Sequence, residues 1–260
     1  MNNMFDPLQQ REVFHLAFLR ALGRALPLAS HALKGGSNLR FFFGSIRYSE
    51  DMDLDVSGVP VHVLRDKVMA ILGSGGLADT LRTYGVDRVV PPDLGKAKQT
   101  ETVQRFKVHL ITSAGEDLST KVEFSRRGLD APVRSEAVSA SILARYHMAP
   151  LIASHYAAEA AVLQKLRALI GRSRPEPRDV FDLHVLSTRL ETGAEAVAGR
   201  SSRADAEKAR ERLFSLDWAE YRDAVVGFLD PEDQESYGSA AAWDQIRLAA
   251  LAVIERAASR

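Results

Sequence analysis

Apolar residues follow two kinds of pattern along the chain, and the mixture of the two changes near its middle. In the first half, helical spacing over residues 8–24 and 62–72 is interleaved with alternation typical of strands over 51–56, 102–112 and 119–125. Residues 86–100 contain two adjacent prolines and several polar residues, and they predict a loop. The first half therefore predicts a small mixed sheet flanked by helices.

After Pro132 the pattern becomes almost wholly helical. Helices are predicted over residues 155–172, 178–190, 205–214, 217–229 and 240–258. The last of them carries Trp243, Ile246 and Ala250 on one stripe, which predicts packing into a core. The chain is thus predicted to be an α+β protein with two domains, a core at 1–140 and a helical C-terminal domain at 141–260.

The strand at 51–56 has three carboxylates on one face. Because side chains alternate along a strand, Asp51, Asp53 and Asp55 share one side, and the apolar residues between them share the other. Like charges at this spacing repel each other, and a Mg²⁺ or Mn²⁺ ion relieves the repulsion by taking oxygen ligands from carboxylates and phosphates. The alternative is an edge strand with a solvated acidic face.

A glycine turn precedes this strand by about a dozen residues. Gly35 and Gly36 allow backbone angles that let a phosphate approach, and Ser37 is predicted to cap a helix at 38–43 whose free N–H groups attract anions. Lys34, Arg40 and Arg47 add positive charge nearby. A Gly-Gly pair is also common in ordinary turns, but beside the acids it predicts a site for a nucleoside triphosphate and its metal.

Later segments supply further candidate residues. In the strand at 119–125, Glu123 shares a face with Lys121, and a neighbouring position in the sheet would bring Glu123 beside Asp51 and Asp53 as a third metal ligand. The alternative is a surface pair of Lys121 and Glu123. Lys165, Asp179 and Asp182 lie on two of the predicted helices, where the alternatives are a solvated lysine and acids that complement a helix dipole.

These motifs, in this order, resemble the AbiEii-type nucleotidyltransferase toxins, including the MenT-type members, of the DNA polymerase β-like superfamily. The resemblance covers about residues 33–186. The segments that carry it are Lys34-Gly35-Gly36-Ser37 with Leu39-Arg40, Arg47-Tyr48-Ser49-Glu50-Asp51-Met52-Asp53, Lys121-Val122-Glu123-Phe124-Ser125, Lys165, and Arg178-Asp179-Val180-Phe181-Asp182-Leu183.

The resemblance implies a polymerase β-like core and transfer of a nucleoside monophosphate from a nucleoside triphosphate to an RNA hydroxyl, such as a tRNA 3′ end. It implies roles in the nucleotide site for Ser49, Lys165 and one of the two acids Asp179 and Asp182. Asp179 is the preferred acid, with Asp182 in support, and the helical domain is expected to contribute to the active site. It also implies a toxin–antitoxin or phage-defence setting with a cognate antitoxin. Asp55 is an addition to the family's two-acid pattern, and Glu123 stands where many members have aspartate.

Composition narrows these expectations. Lysine plus arginine and aspartate plus glutamate number 34 each, so an RNA contact requires a local basic patch. The absence of cysteine excludes thiol catalysis and cysteine-ligated zinc, and the lack of a long apolar run predicts a cytoplasmic protein. The basic residues considered for RNA phosphates are Arg82, Arg88, Lys96, Lys98, Arg126, Arg127 and Arg134.

Two alternative functions stay open from the sequence. The acceptor of the transferred nucleotide can be a small molecule or a protein hydroxyl instead of RNA. The chain can also be a nucleotide-binding module that keeps the fold without catalysis, although the three ionisable acids Asp51, Asp53 and Glu123 favour an active enzyme.

Overall fold

The computed structural model of the protein describes residues 5–95, 99–129, 131–189 and 197–259. The chain packs into two compact units. Unit 1 comprises Met1–Phe42 and Tyr48–Tyr156, and unit 2 comprises Phe43–Arg47 and Ala157–Arg260. The division of the chain into domains at 1–140 and 141–260 stays a prediction.

Unit 1 contains a seven-stranded sheet whose strands have the spatial order β3-β4-β5-β2-β1-β7-β6. Its elements along the chain are α1 (Pro7–Ala25), β1 (His31–Lys34), α2 (Gly35–Phe42), β2 (Asp51–Val56), α3 (Val61–Leu72), α4 (Gly75–Arg82), β3 (Val86–Val90), β4 (Val103–Thr112), β5 (Asp117–Ser125), β6 (Val133–Ala137), α5 (Ala140–Arg145) and β7 (Ile152–Tyr156).

The acidic strand β2 lies at the centre of this sheet. It pairs antiparallel with β1 on one side and parallel with β5 on the other. Its Met52 and Leu54 are fully buried in a core that includes Phe14 and Phe18 of α1 and Phe124 of β5. Because successive side chains of a strand point to opposite faces, burial of the apolar set directs the acids to the other face of the sheet.

Helix α1, which covers this core, begins at a well-defined cap. The Asp6 side chain accepts hydrogen bonds from the backbone N–H groups of Leu8 and Gln9, and Gln9 bonds back to the backbone N–H of Asp6. Pro7 occupies the first turn, where its missing N–H costs nothing. The sequence therefore sets the start of the helix that closes one side of the sheet.

The regular secondary structure described in unit 2 is all helical. Its elements are α6 (Ala158–Gly171), α7 (Pro177–Ser187), α8 (Arg203–Phe214), α9 (Trp218–Ala224), α10 (Pro231–Tyr237) and α11 (Ala240–Ala258). Trp243, Ile246 and Ala250 of α11 are buried, as their stripe predicted, and the Trp243 ring stacks on Tyr221 of α9 with the ring centroids 4.5 Å apart. This stripe is therefore part of the buried core of unit 2.

Three strands differ from the sequence prediction. The segment predicted as a loop at 86–100 begins with β3, and the region predicted as helical after Pro132 contains β6 and β7. The edge strand β6 is mostly exposed and lacks apolar alternation. In β7, the polar residues Ser154 and His155 are buried next to polar partners: Ser135 Oγ lies 3.0 Å from Ser154 Oγ, and Asn38 Oδ1 lies 3.0 Å from His155 Nδ1. These segments form strands because of the strands and side chains that pack beside them, and not because of a local sequence pattern.

A buried histidine links α1 to the start of β2. His15 Nε2 lies 2.9 Å from Thr120 Oγ1, and the Thr120 hydroxyl donates to the Glu50 carbonyl at 2.7 Å. Since the threonine hydrogen is used by that carbonyl, His15 Nε2 carries the hydrogen and donates it to Thr120. Burial, with a smaller contribution from Arg11, lowers the pKa of His15 to about 3. The ring is therefore neutral in the folded protein.

We predict that His15 makes the fold acid-sensitive. The unfolded chain takes up a proton on this histidine below about pH 6.5, whereas the folded chain does not until about pH 3, so stability falls as the pH falls through this window. At pH 5 this one histidine is expected to lower the free energy of unfolding by about 2 kcal/mol. The variant His15→Gln, which keeps an N–H donor, should show a smaller drop in Tm between pH 7 and pH 5 in scanning calorimetry.

The control for this prediction is His62→Gln, because His62 is exposed at the start of α3. It should retain the wild-type drop in Tm. An unchanged drop in His15→Gln would show that other groups cause the acid sensitivity.

Candidate active site

The acids of β2 lie beside β5 in a defined register. Asp53 is the direct partner of Glu123 in the parallel pair, and Asp51 is the partner of Lys121. Partners across a ladder point to the same face, so the third carboxylate comes next to the two acids of β2. This is the arrangement that the alternation of the two strands predicted.

Basic side chains contact these carboxylates. Lys121 Nζ lies 3.1 Å from Asp51 Oδ2 and 3.9 Å from Glu123 Oε2. On the other side of β5, Arg105 Nε of β4 donates to Glu123 Oε2 at 2.6 Å. Arg105 was missed in the sequence, because only the register of β4 against β5 places it opposite Glu123.

Asp53 is the least favourably placed of these charges. Burial raises the pKa of its carboxyl, and the negative charges of Glu123 and Asp51 raise it further against the opposing effect of Lys121 and Lys34. The ionised carboxylate is thus held in surroundings that disfavour its charge, which is typical of groups that bind a cation or take part in catalysis.

The glycine turn lies against this same carboxylate. Gly35 has a φ of +68°, and a Cβ atom at this position would lie 3.0 Å from Asp53 Oδ2. Both the backbone angle and the close approach therefore favour glycine. Helix α2 begins at Gly35, beside Asp53, and the first N–H groups of a helix have no partner within the helix itself.

Two hydroxyls predicted to serve the nucleotide hydrogen-bond to the start of β2, and their role in the nucleotide site stays a prediction. Ser37 Oγ and Ser49 Oγ both donate to the Asp51 carbonyl oxygen, at 2.9 and 2.8 Å. Helix α2 begins at Gly35, so Ser37 lies inside it and the prediction that Ser37 caps a helix at 38–43 is wrong. The two serines hold the backbone of Asp51 in place.

Asp55 has a separate set of partners. Lys34 Nζ lies 2.5 Å from Asp55 Oδ1, and the Tyr156 hydroxyl donates to Asp55 Oδ2 at 2.6 Å. Both carboxylate oxygens are therefore engaged within the sheet. Of the three acids on β2, Asp51 and Asp53 are the pair that faces Glu123 and Lys121.

Arg40, predicted as a nucleotide-binding residue, is buried in a charged cluster of unit 1. Its Nε and Nη2 donate to the two carboxylate oxygens of Glu12 at 2.6 and 3.2 Å, and its guanidinium stacks over the Tyr48 ring at 4.1 Å. The Tyr146 hydroxyl also donates to Glu12 at 2.6 Å. These contacts join α1, α2 and Tyr146, the residue that follows α5. The predicted nucleotide contact of Arg40 stays a prediction.

The other predicted residues form a cluster inside unit 2. Lys165 of α6 contacts two fully buried acids of α7, with Nζ 3.2 Å from Asp179 Oδ1 and 2.5 Å from Asp182 Oδ2. Arg172 Nε binds Asp179 at 2.9 Å, and Arg47 Nη2 binds Asp182 at 3.3 Å. Lys165 is buried, so the interpretation of it as a solvated surface lysine is wrong.

In this cluster, charge pairing has a larger effect than burial on the pKa values of Lys165 and Asp182. Burial alone would lower the pKa of Lys165, but the carboxylates of Asp182 and Asp179 outweigh it and the pKa is raised. Burial would raise the pKa of Asp182, but Lys165 and Arg47 outweigh it and the pKa is lowered. Both groups are therefore charged at neutral pH.

The basic residues considered for RNA have varied surroundings. Arg82 pairs with Asp79, Arg134 lies 3.6 Å from Glu136, and Arg126 donates to the Gln104 side chain and the Val59 carbonyl. Arg88 on β3 and Arg127 are exposed, whereas Lys96 and Lys98 lie outside the described residues. These positions do not by themselves define a basic patch.

The acids of unit 1 fit a divalent ion in chemistry, but they do not enclose one. In the part of the chain that the structure describes, no group of three His, Asp or Glu side chains converges into a metal cage. Mg²⁺ often takes only one or two carboxylates and completes its shell with water and substrate phosphates. Asp51 and Asp53, with Glu123 adjacent and the α2 turn beside them, provide such a partial set.

Helices long and apolar enough to span a membrane do not occur among the described residues.

Comparisons with known proteins relate the whole chain to a family and to solved structures. A family model described as the nucleotidyl transferase AbiEii toxin of type IV toxin–antitoxin systems matches residues 17–247. The structure of JHP933 from Helicobacter pylori superposes with a TM-score of 0.56 at 20% identity, covering 96% of this chain and 91% of that one. The nucleotidyltransferase toxin MenT4 from Mycobacterium tuberculosis superposes with a TM-score of 0.56 at 18% identity, covering 94% and 82%. The comparison with curated proteins found no match.

The two structural likenesses support the fold, and the α+β class with a polymerase β-like core is confirmed. The family model spans most of the chain, including β2, β5, α6 and α7. The chain therefore belongs to the AbiEii family of nucleotidyltransferase toxins and is a nucleotidyltransferase.

Proposed function

We propose that this nucleotidyltransferase moves a nucleoside monophosphate from a nucleoside triphosphate to an RNA hydroxyl, at the acceptor end of tRNA, with Mg²⁺ or Mn²⁺. The observation that carries the proposal is the approach of three groups in unit 1. Asp53 faces Glu123 across the β2–β5 pair, and the Gly35 turn lies against the Asp53 carboxylate. A polyphosphate at that turn would meet the acids directly.

Asp51 and Asp53 are the proposed metal ligands from β2, with Glu123 as the ligand from β5. A bound divalent ion supplies positive charge that stabilises the attacking and departing oxygens of an in-line displacement. Asp53 suits this role because burial and its acidic neighbours leave its charge poorly compensated. Asp55 is excluded from the proposed set because Lys34 and Tyr156 occupy its two oxygens.

In the proposed reaction, residues of unit 1 accept the proton and hold the polyphosphate. The acceptor hydroxyl oxygen forms a bond to the α-phosphorus, the bond from that phosphorus to the bridging oxygen breaks, and pyrophosphate leaves. Glu123 accepts the hydroxyl proton and passes it to water, and Arg105 orients the carboxylate for this step. Backbone N–H groups at Gly35, Gly36 and Ser37 hold the polyphosphate at the start of α2, with Lys34 adjacent.

The nucleotide-site roles of Arg47, Lys165, Asp179 and Asp182 remain proposals that rest on the resemblance. Inside unit 2 these residues already neutralise one another, as their distances show. A loss of activity on substitution therefore needs to be separated from a loss of stability.

RNA as the acceptor and the cognate antitoxin are proposed from the family. AbiEii proteins are described as toxins of type IV toxin–antitoxin systems. MenT4 is likewise described as a nucleotidyltransferase toxin. A cytoplasmic location, where RNA and triphosphates are available, is proposed with them.

The test of the acceptor is incubation of the purified protein with each of four α-labelled nucleoside triphosphates, Mg²⁺ or Mn²⁺, and one of three acceptors. The acceptors are total tRNA, a panel of small hydroxyl compounds, and cellular protein. We expect label in tRNA with a preference among the four bases. Label only in small molecules or in protein would replace RNA with that acceptor.

We predict that Asp51→Asn and Asp53→Asn each lower the rate of transfer by at least about 100-fold, because each removes charge that holds the metal and compensates the reacting phosphates. The measurement is the initial rate of label transfer at saturating triphosphate. Asp117→Asn is a matched control, since Asp117 is an exposed acid at the start of β5. Wild-type turnover in Asp51→Asn or Asp53→Asn would reject the metal assignment.

We predict that Asp53→Asn does not lower Tm at pH 7 and instead leaves it equal or raises it. The raised pKa of Asp53 means that its ionisation is less favourable in the folded chain than in the unfolded chain, so the charge costs stability above its ordinary titration range. Scanning calorimetry without added metal measures the effect. A marked fall in Tm would show that the Asp53 carboxylate supports the fold.

We predict that Lys165→Met lowers the free energy of unfolding of unit 2 by about 3–5 kcal/mol, because it leaves two buried carboxylates short of a cation. Denaturant unfolding measures this effect, with Lys208→Met of exposed α8 as the control. Transfer rates are compared at a temperature where both variants are folded. A larger loss of rate in folded Lys165→Met than in the control supports the proposed role in the nucleotide site.

A further inference from the structure

Lys121 occupies a position between the proposed metal ligands of two strands. Its backbone is the register partner of Asp51, and its Nζ lies 3.1 Å from Asp51 Oδ2 and 3.9 Å from Glu123 Oε2. The side chain is 27% exposed, so the ammonium remains able to move toward solvent. One ammonium group thus contacts two carboxylates that a divalent ion would also need.

Among the described residues, Lys121 alone forms an ion pair with Asp51. Lys34 binds Asp55, outside the proposed metal set. Arg105 binds Glu123 Oε2 at 2.6 Å from the far side of β5, the same oxygen that Lys121 approaches to 3.9 Å. Lys107 of β4 is the register partner of Lys121, but it is exposed and makes no ion pair with any described residue. Lys107 therefore carries the same charge on the neighbouring strand but does not contact the acids.

The position of Lys121 creates competition between two cations. An ammonium and a divalent ion that bind the same carboxylate oxygens exclude each other, because both need the lone pairs and they repel each other. A free divalent ion must therefore break the contact of Lys121 with Asp51. A polyphosphate lessens this penalty, since its oxygens offer the displaced ammonium another anionic partner.

We propose that Lys121 makes this site select a divalent ion bound together with a triphosphate over a free divalent ion. Lys121 is a specificity-determining residue: it holds Asp51 and Glu123 until phosphate oxygens draw it away, and metal and nucleotide consequently bind with positive coupling. The inference rests on the proposed function, in which Asp51, Asp53 and Glu123 hold the metal.

The experiment measures Mn²⁺ binding to the full chain by electron paramagnetic resonance of the free ion. Each titration is done with and without a triphosphate analogue whose α,β-bridge is methylene, so that no transfer occurs. We expect Lys121→Gln to bind free Mn²⁺ about fivefold tighter than wild type, the scale of a partly exposed ion pair. With the analogue present the difference should shrink, so the coupling between the two ligands is lower in the variant.

Two control variants define the effect. Lys107→Gln removes the same charge from the neighbouring strand and should keep wild-type affinity and coupling. Lys121→Arg keeps a cation at the position and should retain most of the coupling. If Lys107→Gln tightens Mn²⁺ binding as much as Lys121→Gln, the effect is one of general charge and the proposal is wrong.

Asp53→Asn separates this inference from the proposed function. If Asp53→Asn abolishes Mn²⁺ binding and Lys121→Gln binds Mn²⁺ like wild type, the metal site stands and the role of Lys121 is overturned. If Asp53→Asn binds Mn²⁺ as well as wild type, or no variant binds it with the analogue, the metal assignment itself fails and the inference falls with it.

Discussion

The parallel register of β2 against β5 is the constraint on which the acidic site depends. It places Asp53 opposite Glu123 and Asp51 opposite Lys121, on the face away from the core. Since side chains alternate with a period of two, a slip of one residue would turn the acids into the core and Met52 and Leu54 out of it. The hydrophobic core of unit 1 therefore fixes the geometry of a polar site on its other face.

Several hydrogen bonds hold the start of β2 at this register. Ser37 and Ser49 donate to the Asp51 carbonyl, and Thr120 donates to the Glu50 carbonyl while accepting from His15. Hydroxyls at these positions anchor the backbone without using the acidic side chains. The carboxylates of Asp51 and Asp53 are thus not needed to hold their strand in place.

The buried cluster around Lys165 in unit 2 and the acidic site of unit 1 differ in how their charges are compensated. In unit 2, Lys165 and Arg47 neutralise Asp182 so fully that its pKa is lowered despite complete burial. In unit 1, Asp53 has a raised pKa because nearby lysines do not offset burial and the neighbouring acids. Paired charges of the first kind stabilise structure when both partners remain, whereas an under-compensated carboxylate is suited to binding a cation.

The pattern of the sequence was sufficient for the acidic strand, the strand at β5, helix α1 and the core stripe of α11, because each has a strong local period and a clear start or end. It was insufficient for β3, β6 and β7, whose short segments become strands through partners far along the chain, such as Asn38 for His155.

The sequence by itself also determined which side chains are chemically able to bind a metal and a polyphosphate, together with the need for glycine in the turn. Only the tertiary structure decided that Asp55 is occupied by Lys34 and Tyr156, that Arg40 is buried against Glu12, and that Lys121 lies between Asp51 and Glu123. The physical reason is that spacing along a chain fixes the face of an element, whereas the partner of a charge depends on which strands and helices pack beside it.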